Sequence, residues 1–170
     1  MRLAMTLVLL LSTAGIHAQG AEKTMLASDG KTQITVPGHW TELELNDVAE
    51  IELGHAEDPA YLIVINELKE DLFGWNIEKH SRVTLGGLLG TLSFPTVEGP
   101  RAIKVGGSPA VQYEVAGALE GQKIVYIHTT VDGPNYLSQI LAWTIPSQVE
   151  KIRPQLIKAV STFREVKGSQ

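Results

Sequence analysis

The sequence predicts an α+β protein in which an antiparallel β-sheet carries helices on both faces. Residues 108–144 contain three strand-like runs separated by two short turns, and connections that short make neighbouring strands antiparallel. At least two of the predicted strands are apolar at nearly every position, so neither of their faces can be left to water. Two helical segments, one before and one after these three strands, would cover the two faces.

The composition is that of one globular domain. The chain has 170 residues, of which 44% are apolar and 19% charged, and it contains no cysteine. A chain of about 150 residues buries roughly 68 to 70% of its unfolded surface, so this core needs no disulfide. The lack of cysteine excludes thiol catalysis and zinc–cysteine sites. A formal charge of −5 argues against a general binder of nucleic acids or anionic membranes.

The N-terminus has the pattern of a secretory signal peptide. Arg2 precedes an apolar run at residues 3–11, and small residues then lead to Ala18. Cleavage is expected after Ala18 or after Gly20. The apolar run is shorter than the roughly 20 residues that span a membrane, and no second run of that kind follows. We therefore expect residues 1–18 to be a signal peptide and the mature protein to be periplasmic or secreted, without a stable membrane anchor.

Several strands are predicted before the first helix. Residues 33–37 alternate apolar and polar side chains and stop at Pro37-Gly38. Residues 41–45 and 49–54 alternate in the same way, as strands with one exposed face do. Residues 61–65 (YLIVI) are apolar throughout, which is typical of a central strand that is covered on both faces.

The spacing of apolar residues changes to three and four in two segments, which predicts helices. The first is expected to begin after Asn76, a good N-cap, and to end or fray over residues 86–92, which contain three glycines. The second follows a capping-box pattern at residues 147–150. Pro154 lies inside it and predicts a kink or a restart. Residues 167–170 are expected to form a disordered tail.

Between the two helices lies the predicted three-stranded meander. Residues 111–115 alternate, whereas residues 123–131 and 136–143 are mostly apolar. Gly121 and the stretch DGPN at 132–135 provide the turn residues. A short strand is also predicted at residues 101–105, before the meander.

Five short motifs occur in a fixed order along the chain: ITVPGHW at 34–40, AYLIV at 60–64, GSPA at 107–110, AWT at 142–144 and STF at 161–163. The first looks like a family's opening motif of strand, Pro, Gly and Trp, and the second is similar to its central strand. This ordered set, over residues 25–166, resembles the PsbP-like or DcrB-like domain family. The superfamily also includes the Mog-type Ran-binding proteins.

The resemblance implies a single domain over residues 25–166 with the architecture of an α/β/α sandwich. It also implies a binding or accessory module rather than an enzyme, with no cofactor. Related members serve in photosystem assembly, as envelope lipoproteins, or as cytoplasmic chaperones of secreted effectors. This chain lacks the lipoprotein cysteine and, unlike the chaperones, carries an export signal. We therefore expect an exported noncatalytic protein of the cell envelope that engages a protein partner.

Phe73 and Trp75 are the residues that we expect to bind this partner. They flank Gly74 in the loop before the first helix, and nothing in the local period requires two aromatic residues there. Exposed aromatic residues on a loop are typical of binding hot spots. The alternative is that both side chains pack onto the sheet as a lid for the helix.

Other patterns have plainer interpretations. His55, Glu57 and Asp58 form the nearest approach to a metal cluster and are interpreted as a solvated turn. Ser108 lacks the Gly-x-Ser-x-Gly context of a catalytic serine and is interpreted as the start of a strand. The glycine-rich run at 86–90 lacks the lysine of a phosphate-binding loop, and close helix packing or a helix end is expected there.

Two further sets of residues are interpreted as structural. An alternating set of glutamates could bind cations, but the alternation predicts a wet strand face; its members are Glu42, Glu44, Glu50 and Glu52. The tryptophans are expected to pack in the core or at an edge, with Trp75 as the exception; the others are Trp40 and Trp143. Trp143 in particular is expected to be buried, because its strand is apolar on both faces.

Two other functions stay open at this point. A carrier of a small molecule or metal would require a concave pocket lined by aromatic side chains. An unrecognised hydrolase would require a buried constellation of histidine, carboxylate and hydroxyl. Neither pattern can be recognised without the tertiary structure.

Overall fold

The computed structural model describes residues 21–55 and 57–166, so the predicted signal peptide and the tail at 167–170 lie outside the described residues. In chain order the elements are β1 (Glu22–Leu26), β2 (Thr32–Pro37), β3 (Thr41–Glu42), β4 (Ile51–His55), β5 (Ala60–Leu68), α1 (Ile77–Thr91), β6 (Ser93–Val105), β7 (Ser108–Leu119), β8 (Gln122–Asp132), β9 (Tyr136–Thr144), α2 (Val149–Ser161) and β10 (Arg164–Glu165). None of the described helices is both long and apolar enough to cross a membrane.

The strands form two antiparallel sheets. The larger sheet has the order β3-β4-β5-β9-β8-β7-β6, and the smaller has the order β1-β2-β10. Strands β7, β8 and β9 are the predicted meander, with pairs such as Tyr113 opposite His128 and Tyr126 opposite Trp143. Strand β5 lies between β4 and β9, which explains why its sequence is apolar at successive positions.

The two helices cover opposite faces of the larger sheet, as the sequence predicts. Tyr126 in β8 packs in a cluster with Leu85 of α1 and Leu92, the residue that caps the end of this helix. The next residue, Ile127, belongs instead to the cluster that contains Ile152 of α2. Successive side chains of a strand point to opposite faces, so α1 and α2 must lie on opposite sides of the sheet.

The smaller sheet lies against the α2 side of the molecule. Ile34 and Val36 of β2 share the larger core with Ile152 of α2, and the Thr35 amide donates a hydrogen bond to the hydroxyl of Thr162, just after α2, at 2.8 Å. Trp40, which follows β2, is fully buried in the same core. This arrangement places α2 in contact with strands of both sheets.

Four strands differ from the sequence-based expectation, one of them being β10 after α2, which no sequence pattern predicts. The polar segment before residue 33 contains strand β1, which pairs with β2 from Glu22 to Leu26. Strand β6 has 13 residues, whereas only residues 101–105 were expected to be extended. Two register shifts against β7 interrupt its period, and its prolines are tolerated because β6 is an edge strand. Strand β3 contains only Thr41–Glu42 and so is shorter than the predicted strand at 41–45.

The helices also differ in detail. Helix α1 continues through the glycines at 86, 87 and 90 to Thr91, and a Cβ atom added at any of the three would meet nothing within 4 Å. Close packing within the chain therefore does not explain these glycines. Helix α2 runs through Pro154 as one helix, and its N-cap is Gln148 without a side-chain cap bond. The predicted capping box is thus wrong, because Ser147 lies in a 3-10 turn, Pro146–Gln148.

Candidate partner-binding surface

The loop between β5 and α1 is held in place by backbone hydrogen bonds. The Lys69 amide donates to the Asn135 carbonyl oxygen at 3.0 Å, and the Asp71 amide donates to Leu68 at the same distance. The Trp75 amide donates to the Leu72 carbonyl oxygen at 3.0 Å. Gly74 has a φ of +70°, a conformation that glycine adopts at little cost. The loop therefore presents its side chains from a defined backbone.

The N-terminus of α1 fixes the far end of this loop. The Asn76 side chain accepts a hydrogen bond from the Lys79 amide at 2.9 Å, which is the N-cap that the sequence predicts. This cap satisfies one of the free amides of the first turn. As a result, the residues just before Asn76 cannot change direction without disturbing the start of the helix.

Phe73 and Trp75 lie in different environments on this loop. Phe73 is 90% exposed, so it does not pack onto the sheet as a lid. Trp75 is half-buried. The Lys79 ammonium lies 4.6 Å from the centroid of its ring, and the His80 ring approaches edge-on, with 6.2 Å between the two ring centroids. Together, Phe73 and Trp75 form what we call the aromatic loop surface, with one side chain free in water and one held by its neighbours.

Two buried histidines, one in α1 and one in β8, lie between the helix and the sheet, and no local sequence pattern indicated them. His80 Nε2 is 2.7 Å from the Glu67 carboxylate, and His128 Nε2 is 3.0 Å from the Thr84 hydroxyl. Thr84 donates its own proton to the His80 carbonyl oxygen at 3.0 Å, so it accepts from His128. Burial lowers the pKa of His128 to about 4, with a smaller contribution from the nearby His80.

These contacts do not form a catalytic relay. The carboxylate of Glu67 and the hydroxyl of Thr84 contact different imidazole rings, whereas the triad of a serine-type hydrolase has both on one ring. Both histidines are fully buried beneath the helix, and the Thr84 hydroxyl is already used by the helix backbone. The two pairs therefore fit a role in attaching α1 to the sheet.

The residues around His55 are engaged in structural contacts. The Asp58 amide donates to His55 Nδ1 at 2.9 Å, and the Asp58 carboxylate accepts from Lys151 of α2 at 2.7 Å. This hydrogen bond lowers the pKa of Asp58. Across residues 21–55 and 57–166, no group of three His, Cys, Asp or Glu side chains is arranged to hold a metal ion.

The two other tryptophans, Trp40 and Trp143, differ in burial. Trp40 is fully buried, as expected of a core residue. Trp143 is only half-buried, so the expectation that it lies inside the core is wrong. Its ring stacks on that of Tyr61, with 5.4 Å between the ring centroids, and the ring of Tyr126 lies tilted against it at a centroid distance of 5.7 Å. The three aromatic residues form a row across β5, β9 and β8, and Tyr126 and Trp143 also belong to the cluster that contains Leu85 of α1.

No family model matches the sequence, and no curated protein matches it. Solved structures match its fold. CyanoP, the cyanobacterial PsbP of Synechocystis, aligns with a TM-score of 0.64 and 10% identity, over 92% of this chain and 99% of its own. LpqN of Mycobacterium tuberculosis aligns with a TM-score of 0.63 and 16% identity, over 86% of this chain and 91% of its own. The Ran-binding protein Mog1p of Saccharomyces cerevisiae aligns with a TM-score of 0.59 and 13% identity, over 85% of this chain and 95% of its own.

These likenesses show that the protein has the PsbP-like fold, which confirms the fold that the sequence motifs predict. Identities of 10 to 16% support the shared fold and carry no activity from one protein to another. LpqN is described as involved in cell envelope biogenesis, and Mog1p as a Ran-binding protein. None of the three is named for a catalytic activity.

Proposed function

We propose that this protein is an exported, noncatalytic binding protein of the cell envelope, in which residues 25–166 act as one domain after removal of residues 1–18. We propose further that it engages a protein partner through the aromatic loop surface. The observation that carries this proposal is the position of Phe73, which is 90% exposed on a loop whose backbone is hydrogen-bonded on both sides.

The energetic reason is that an exposed phenylalanine contributes binding free energy when a partner buries its side chain. Fully burying such a side chain contributes about 1.5 to 3 kcal/mol. The hydrogen-bonded loop has little conformational entropy left to lose when a partner covers it. Trp75 extends the apolar area beside Phe73, and its contacts with Lys79 and His80 keep its ring in one orientation. Rigid aromatic anchors of this kind are typical of hot spots.

Five observations support the wider proposal. The signal-peptide pattern at residues 1–18 supports export, and the structural likeness to LpqN is in keeping with a place in the cell envelope. The likeness to Mog1p, described as Ran-binding, is in keeping with a protein partner. The separation of the Glu67 carboxylate from the Thr84 hydroxyl argues against a hydrolase, and the aromatic row of Tyr61, Trp143 and Tyr126 packs on itself rather than around a pocket.

The test begins with export. The chain, expressed with its native N-terminus in its source cells, should appear outside the cytoplasm with an intact mass that lacks residues 1–18 or 1–20. A photo-crosslinking residue placed beside the aromatic loop surface then captures the partner in the native envelope, and mass spectrometry identifies it. A product that retains Met1, or that is released only by detergent, contradicts the export half of the proposal.

The binding half is tested by comparing two phenylalanines with nearly equal exposure. Phe94 is 94% exposed and follows the C-terminus of α1, about 22 Å from the helix start at 1.5 Å per residue. Phe73→Ser should leave the melting temperature unchanged and reduce affinity for the captured partner about tenfold or more. Phe94→Ser should retain that affinity. If Phe73→Ser binds as the wild type does, or if only Phe94→Ser loses binding, the aromatic loop surface is not the partner site.

A further inference from the structure

An acidic groove leads from the edge of the smaller sheet to the aromatic loop surface. Its first part, a cleft of about 190 Å³, lies between the end of β1 and the segment from β3 to β4. Its second part, about 390 Å³, extends from Asp29 to Asp71 and Leu72. The two parts share Glu50, and Leu72 is the chain neighbour of Phe73. The groove therefore ends next to the aromatic loop surface.

The charge of this groove is strongly one-sided. Six carboxylate side chains line it, and Lys31 is its single cationic lining residue; the carboxylates are Asp29, Glu42, Glu50, Glu52, Glu67 and Asp71. Lys31 is already paired with Asp29 at 3.7 Å. The sequence contributes to this asymmetry, since residues 32–68 contain eight carboxylates and no Lys or Arg. Within the described residues, no Lys or Arg pairs with Glu42, Glu50 or Glu52.

The surroundings of Glu50 disfavour the charged form of its carboxylate. Its side chain accepts a hydrogen bond from the Asn66 amide at 2.9 Å, yet burial still raises its pKa, and the charge of Asp29 adds to this effect. A cationic group placed in the groove would offset both the lost hydration and the repulsion. The position shared by the two parts of the groove is thus the one that gains most from a basic ligand.

The first part of the groove also has an apolar floor. Ile51 and Leu53 are buried beneath it, Met25 and Leu43 line its sides, and Leu26 at its rim is 58% exposed. A cavity of about 150 Å³ accepts a benzene-sized group, so this cleft can receive one apolar side chain. It is bordered by β1 and β3, which are edge strands of their respective sheets. Edge strands accept extended chain segments.

We propose that the acidic groove binds an extended, basic segment of the partner protein, with one apolar side chain seated between β1 and β4. Lysine or arginine side chains of that segment face the groove carboxylates. This inference rests on the proposed function, because it identifies the partner chemistry of the surface that begins at Phe73. The charge complementarity and the position of the groove next to the aromatic loop surface favour this occupant.

The probe is a short fluorescein-labelled peptide in which lysine and leucine alternate, together with the same peptide carrying glutamate for lysine. Fluorescence anisotropy measures binding to the full mature chain. The test variant, Glu42→Gln with Asp71→Asn, removes one charge at each end of the groove, at exposed carboxylates without side-chain partners among the described residues. The control variant, Glu120→Gln with Glu150→Gln, removes the same charge from exposed carboxylates elsewhere.

The lysine peptide should bind, and the test variant should weaken it about fivefold, as expected for the loss of two exposed ion pairs. The control variant should change the affinity for the lysine peptide little, whereas Leu26→Ser should weaken it. The glutamate peptide should not bind. Equal weakening by both charge variants, or no effect of Leu26→Ser, would show nonspecific attraction and overturn the inference. A dimer in light scattering that the test variant dissociates would assign the groove to a second copy and overturn it as well.

The result separates this inference from the proposed function. If the peptide fails to bind but Phe73→Ser still loses the captured partner, the groove is rejected and the aromatic loop surface stands. If the peptide binds through Glu42 and Leu26 but Phe73→Ser retains the captured partner, the groove stands and the aromatic loop surface is rejected.

Discussion

His128 should make the attachment of α1 sensitive to acid. The imidazole is fully buried on β8, and it donates a hydrogen bond from Nε2 to the Thr84 hydroxyl of α1. Its Nδ1 atom has no hydrogen-bond partner among the described residues. His80 from α1 faces the same buried space and is paired with Glu67 of β5. A proton added to His128 would therefore place a buried positive charge near His80 without a carboxylate of its own.

The size and sign of the effect follow from the pKa of His128. In the unfolded chain it protonates near 6.5, whereas burial lowers the folded pKa to about 4. Between these pH values the unfolded state binds more protons, so the free energy of unfolding falls as the pH falls. The contribution is complete above about pH 6.5 and is lost progressively down to about pH 4. A pKa difference of about 2.5 at 1.36 kcal/mol for each unit gives a loss of about 3 kcal/mol.

The assay is urea unfolding of the wild type and His128→Gln at several pH values from about 7 to about 4. The carboxylates that lower stability in acid are common to both proteins, so their effect cancels in the difference. The stability gap between the two proteins should shift by about 3 kcal/mol in favour of the variant over this range. His39→Gln, at an exposed position, should follow the wild type. A gap that stays constant with pH would show that His128 is hydrated or protonated in the folded state.

The remaining predictions concern helix propensity and the aromatic core. Gly86→Ala and Gly87→Ala should each raise the free energy of unfolding by up to about 1 kcal/mol, because alanine favours the helix and its Cβ would meet nothing within 4 Å; a lower melting temperature would contradict this. Trp40→Ala should cost about 3 to 5 kcal/mol in chemical unfolding, since the side chain is fully buried. Trp143→Ala should cost less, because this side chain is only half-buried, and equal costs would contradict the difference in burial.

The features that the sequence alone determined are those encoded by neighbouring residues. The alternating run at 111–115, the turn residues at Gly121 and the stretch at 132–135 were enough to predict the antiparallel meander, because short turns leave no other pairing. The apolar run at 61–65 required cover on both faces, which a strand between two helical layers provides. Asn76 was recognisable as an N-cap because a cap bonds an amide only a few residues along the chain.

The tertiary structure alone decided the features that depend on distant partners. Strand β1 has a polar sequence and exists because β2 pairs with it. The register shifts of β6 interrupt the alternation of its side chains, so its sequence does not show the period of a strand. His80 and His128 are separated by 47 residues of chain, and burial between α1 and β8, not any local motif, makes them a pair. The acidic groove likewise joins Asp29, Glu42 and Asp71 from three separate segments. Local sequence sets backbone preference and the period of burial, but which side chains meet is decided only when the sheets and helices pack.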